Sequence, residues 1–131
     1  MKHQVNLSVR LSITDDDIDA IMNAALPEGF NYWCDHMTAV EGRYFGKNAS
    51  DHITKGGSLL LHDWRDADYV LTLDQLLTGI GQAYCDGYGD DWHVNYGVGA
   101  DLIESYIDLG RIDADTANAI IQYAIFGELV Y

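Results

Sequence analysis

Basic residues are scarce in this sequence. Seven Lys and Arg stand against 21 Asp and Glu, a formal net charge of −14 on 131 residues. That shortage excludes a cationic groove, and the acid excess repels nucleic acid and anionic membrane surfaces. Cysteine occurs twice, at Cys34 and Cys85, too few for a disulfide framework. The opening MKHQVNLSVRLS lacks the apolar stretch of a signal peptide, and no run approaches the ~20 residues of a membrane span. A cytoplasmic protein with reduced thiols is expected. A P-loop, a G-x-S-x-G elbow, a dinucleotide fingerprint and zinc-type ligand spacings are all missing. The calcium-loop pattern fails as well, with Ala20 or Asp91 standing where the sharp-turn glycine belongs. Neither an enzyme, a metal nor a cofactor is expected.

What is present is acid, unevenly spread. Residues 63–115 carry 12 acids against only Arg65 and Arg111, a segment charge of −10. Hydrophobic residues still make up 48% of the chain, and proline occurs once, at Pro27. A disordered acidic tail would lack that apolar content. One acidic globular domain over residues 1–131 follows, with its charge outside.

Val5, Leu7, Val9 and Leu11 alternate with polar residues, the period of a half-buried strand. Thr14 before three Asp predicts a helix start, and Ile18, Ile21, Met22 and Ala25 continue it. Phe30 to Val40 reads as helix, with Tyr32, Trp33, Met37 and Val40 on one side. A helical turn at 49–55 precedes two strands, 58–62 and 69–73, around a polar turn. Thr72 and Gln75 form a capping-box pair for a helix from Leu73 to Tyr84, with Leu76, Leu77, Ile80 and Ala83 inward. A loop covers 86–99, and 101–109 is read as an amphipathic helix. Asp113 caps a final helix, Ala114 to Phe126, whose uncharged stretch suits a core element better than an oligomer face. Residues 128–131 suit an edge strand. The expected class is α+β: a small antiparallel sheet with four to five helices packed on it.

On a helix, Asp101, Glu104 and Asp108 would share one face, with neighbours roughly 5–6 Å apart. Regular negative charge on a rigid face imitates a phosphate backbone, which carries one charge per about 1.7 Å of duplex. The plainer reading is a solvated helix face. Asp86, Asp90 and Asp91 lie among Tyr88 and Trp92, where aromatic rings among acids suit hot spots for a basic partner; the plainer reading there is that the rings cover the core. Lys55-Gly56-Gly57-Ser58 is the one place for a phosphorylated small molecule, although such a turn more often closes a helix.

Ile18-Asp19 with Ile21-Met22, Tyr32-Trp33-Cys34, Ala49-Ser50-Asp51 with Gly56-Gly57, and the ending from Ile112 to Glu128 carry a resemblance. By these segments the chain resembles a family of small, uncharacterised acidic proteins encoded in prophages and conjugative elements of Gram-positive bacteria. Residues 87–99 depart from it as an elaboration. The resemblance implies a mobile-element origin and carries over no site residues. By analogy with anti-restriction and anti-CRISPR proteins, it implies a non-enzymatic inhibitor in the host cytoplasm, a DNA mimic on the basic surface of an RNA-guided nuclease or similar defence protein. The partner-binding residues would be Asp101, Glu104, Asp108, Asp86, Asp90, Asp91, Trp92 and Tyr88, with no direct nucleic-acid binding and no membrane. The alternatives are a sponge for a nucleotide defence signal at Lys55–Ser58 and a regulatory partner of the element's own basic proteins; a second copy of the chain, as a homodimer, is a further expected partner.

Overall fold

The computed structural model describes residues 3–4, 8–88, 93–98, 102–108 and 112–131; the side chains of 8–9, 93–98 and 102–108 are outside that description. Strand β1, Ser8–Ser12, leads into helix α1, Asp15–Ala25. Thr14 caps α1: its hydroxyl accepts from the Asp17 N–H at 3.1 Å, and the Asp17 carboxylate accepts from the Thr14 N–H at 2.9 Å. Two N–H groups that a helix start leaves unpaired are thereby satisfied. After a 3-10 turn at Pro27–Gly29 comes strand β2, Cys34–Ala39. Helix α2, Ala49–Thr54, is followed by strands β3, Leu59–Asp63, and β4, Asp68–Leu71. Helix α3, Leu73–Ala83, carries the expected Thr72–Gln75 capping box. A π-helical turn, Tyr84–Tyr88, precedes strands β5, His93–Val98, and β6, Leu102–Asp108. Helix α4, Ala114–Phe126, is capped by Asp113 and closed by Gly127 at φ +75°.

The class is α+β, with four α-helices among the described residues. The strands form two three-stranded sheets where one was expected. In β2-β3-β4 every pairing is antiparallel, with a bulge between Cys34 and His36. In β1-β6-β5 the β1–β6 pairing is parallel, running from Ser8 opposite Leu102 to Ser12 opposite Tyr106.

Four further expectations are corrected. Residues 34–39 are a strand, because the Asn31 carboxamide oxygen accepts from the N–H groups of both Trp33 and Cys34. That side-chain turn competes with helix and delivers the chain, extended, to β3. Residues 102–108 are also a strand. In seven residues the helical and alternating periods both fit, and pairing on both sides decides between them. Residues 93–98 of the expected loop are β5, and residues 128–131 form no strand.

Helix α4 is the central core element, packed against α1 and α3, with Ala117, Ile120, Ile121 and Tyr123 buried. On α3 the inward face is Leu76, Gly79, Ile80 and Ala83, while Leu77 is exposed. Gly79 is where the two backbones meet: a Cβ there would lie 2.6 Å from the Ile120 carbonyl oxygen and 2.9 Å from the Ala124 nitrogen. Gly79→Ala should therefore destabilise by about 1–3 kcal/mol through overpacking. Gly81→Ala, where a Cβ meets nothing within 4 Å, should stabilise by about 0.5–1 kcal/mol through helix propensity. Denaturant unfolding of the two variants checks the pair.

Candidate partner-binding surface

Asp90, Asp91, Trp92 and Asp101 lie outside the described residues. Glu104 and Asp108 are on β6, and the helical acid stripe does not form. Four residues along a strand separate them by about 13 Å, against the 5–6 Å between neighbours on a helix face. Asp86 and Tyr88 sit on the π-helical turn, against α4. The Asp86 carboxylate accepts from the Tyr123 hydroxyl, pushing that phenol up to about 12. Tyr88 meets the Tyr123 ring edge-on at 6.3 Å and is half-buried, so it covers the core.

The end of the β3–β4 hairpin brings together residues that the sequence showed only as a polar turn. Asp63, at the end of β3, is fully buried and accepts four hydrogen bonds. Its Oδ1 takes the N–H groups of Arg65 and Ala67, both at 2.9 Å. Its Oδ2 takes the hydroxyls of Tyr69 at 3.2 Å and Tyr131 at 2.9 Å. Burial by itself would raise this carboxyl; the bonds from Ala67, Tyr131, Arg65 and Tyr69 outweigh it and hold the group below its ordinary 3.8.

Tyr131 stacks flat on the buried Trp33, with ring centroids 5.5 Å apart, and the Arg65 guanidinium lies over the Tyr131 ring, 4.9 Å from its centroid. Trp33 is pinned from below, because its indole N–H donates to the Asn118 carboxamide oxygen at 2.6 Å. Asn118 in turn donates to the Tyr32 hydroxyl at 2.9 Å. Gln122 accepts from the N–H groups of Val130 and Tyr131, tying the segment after α4 back onto that helix. On this fixed base two rings stand in solvent: Tyr32, 69% exposed, and Trp64, 63% exposed.

Acid surrounds the same hairpin. His62 on β3 pairs through Nδ1 with Asp68 at 2.7 Å and through Nε2 with Asp66 at 3.1 Å. It stacks at 4.5 Å on its cross-strand partner His36, which pairs with Asp35 at 2.7 Å. The hydrogen bond to Asp68 raises the His62 imidazole above its ordinary 6.5. The Asp66 side chain is 94% exposed. Comparison with protein-family models, curated proteins and solved structures finds no match.

The Lys55–Ser58 turn is already occupied by the chain itself. The N–H groups of Gly56 and Gly57 close α2 onto the carbonyls of Ile53 and His52. The Ser58 N–H donates to the Glu41 carboxylate at 2.9 Å, where a phosphate would have to bind. Glu41 also accepts from Nε2 of the fully buried His52 at 2.7 Å. The Phe45 N–H donates to His52 Nδ1, so Nε2 carries the proton and neither ring nitrogen is left for a substrate. A cleft of ≈ 220 Å³ lies between Met22, Leu26, Met37 and the 44–50 segment, below the ~300 Å³ at which small-molecule sites begin. Among the described residues, no group of three His, Cys, Asp or Glu is arranged to hold a metal ion, and no helix is long and apolar enough to cross a membrane.

Proposed function

We propose that this chain is a non-enzymatic acidic ligand for another protein, occupying the nucleic-acid-binding surface of a host defence protein such as an RNA-guided nuclease. The observation that carries this reading is the β3–β4 hairpin end, where Asp35, Asp66 and Asp68 gather around the stacked His36–His62 pair beside the exposed Trp64. Carboxylates supply long-range attraction to a basic surface, and a rigid exposed ring supplies an anchor that excludes water. The net charge of −14 makes the attraction a property of the whole chain, with the acids of 63–115 contributing most of it. The sponge reading lacks comparable support, since the Ser58 N–H of the Lys55–Ser58 turn donates to Glu41.

Binding to such a partner should weaken about tenfold or more between about 50 and 200 mM salt, because it draws on the same cations as nucleic acid. DNA or RNA should displace the chain. Titration against the partner's free and nucleic-acid-loaded forms checks both. A complex indifferent to half-molar salt (about 0.5 M), or formed equally well on the loaded partner, would overturn the reading.

A further inference from the structure

We infer that the Tyr32–Trp64 face is a docking surface for arginine side chains of the protein partner, and that it makes the chain prefer arginine over lysine. The inference rests on the reading of the chain as an acidic protein ligand and specifies what its partner presents.

Four observations lead to it. Tyr32 and Trp64 are among the most exposed large rings of the described residues, yet neither is loosely held. The Tyr32 hydroxyl is bonded to Asn118, and the Trp64 backbone N–H donates to the Trp33 carbonyl at 3.1 Å. The Tyr32 ring is therefore set before any partner arrives, and the Trp64 ring meets the Tyr131 ring edge-on at 6.5 Å, which lowers the entropy cost of binding. The second observation is chemical: the chain already places a guanidinium on these rings. Arg65 lies 5.8 Å from the Trp64 centroid and 4.9 Å from that of Tyr131. A planar, weakly hydrated cation stacks on an aromatic face in a way that an ammonium does not.

Charge supplies the third. Asp66 stands two residues after Trp64 in the same turn, held at φ +66° with its N–H on the Asp63 carbonyl, and its side chain is nearly fully solvated. Asp66 pairs with His62 Nε2 at 3.1 Å, and an exposed carboxylate in the same turn as an exposed ring suits guanidinium, which offers a donor fork at its edge and a flat face to the ring. Fourth, Leu129 and Val130 are both exposed, on the segment that Gln122 ties down beside Tyr131. They supply exposed apolar surface next to Tyr131 in the chain for the methylene stem of an arginine.

The test uses the full chain and two defined probes, a ten-residue arginine peptide and a ten-residue lysine peptide of equal charge, titrated at low salt. The parent should bind the arginine peptide about three- to fivefold more tightly, the amount an exposed cation–π contact supplies. The Trp64 indole N–H resonance should move with the arginine peptide far more than with the lysine peptide. Trp64→Leu, at a site exposed enough to leave folding intact, should bring arginine affinity down to that for lysine and leave lysine binding unchanged. Asp15→Asn with Asp16→Asn, at the start of α1, should lower both affinities equally and keep their ratio. Equal affinities in the parent, or a preference that survives Trp64→Leu, would overturn the arginine surface while leaving the acidic-ligand reading standing. Failure of both peptides to bind would overturn the acidic-ligand reading itself, and the docking surface with it.

Discussion

Asp63→Ala should lower the unfolding free energy by about 3–4 kcal/mol. The substitution strips the partner from two backbone N–H groups and two tyrosine hydroxyls at once. Each unsatisfied buried donor costs about 1–3 kcal/mol, and the exposed Arg65 beside the site lets water recover part of the sum. Asp63→Asn keeps an acceptor for Arg65 and Ala67 but turns an amide toward the tyrosines, so a loss nearer 2 kcal/mol is expected. The acid limb gives a second readout. The folded Asp63 carboxyl is held below 3.8, so its contribution is fully present above that pH and disappears as pH falls through the lower folded value. The gap in urea midpoint between parent and Asp63→Ala should narrow as pH falls from about 7 into the range below 3.8. A constant gap across that range would contradict the assignment of Asp63 as an ionised hub.

Trp33→Ala should cost a comparable 3–5 kcal/mol or so, the usual range for deleting a buried tryptophan. Trp33 is 1% exposed, packs against Phe126 and Tyr131, and satisfies Asn118. Removing it opens a void and leaves the Asn118 oxygen with the 3.2 Å bond from Asn31 alone. Both substitutions release the same side chain, because Tyr131 stacks on Trp33 and donates to Asp63. Their costs should therefore fail to add: the double variant should be about 1 kcal/mol or more better than the sum of the singles. Strict additivity would show that Tyr131 does not couple the two. Near-ultraviolet circular dichroism should report the loss of the stacked pair in either single variant.

What could be read from the sequence was what local chemistry decides. Thr14 with Asp17, Thr72 with Gln75, and Asp113 before an uncharged run each marked a helix start where α1, α3 and α4 begin. The 58–73 hairpin was legible for the same reason, since alternation and a polar turn are local signals. The strands that were missed depend on partners far along the chain. Leu102 to Asp108 fits helix or strand equally well alone, and only β1 and β5 choose between them. The misreading of 34–39 came from Asn31, whose carboxamide imposes a turn that no hydrophobic period reveals. The hairpin surface was not singled out in the sequence, where 63–68 reads only as a polar turn. What stayed hidden was that Asp63 turns inward while Asp66 remains in solvent, a division made by Tyr131 docking from the far end of the sequence. One clue was available: a tryptophan beside an acid-rich turn is a ring that needs either a core or a partner.

The parallel pairing of β1 with β6 has a consequence for the order of assembly. Ser8 sits opposite Leu102, so the first strand waits while 94 further residues are made. At ~5–20 residues per second, a ribosome needs roughly 5–20 s to supply the partner. During that interval β2, β3 and β4, whose pairings span short loops, have all they need to form their own sheet. The early strand meanwhile exposes unpaired edges, a template for association with other nascent chains. Closing the β1-β6-β5 sheet is thus a late step, and a chain stopped before residue 102 would carry an orphan strand at its start.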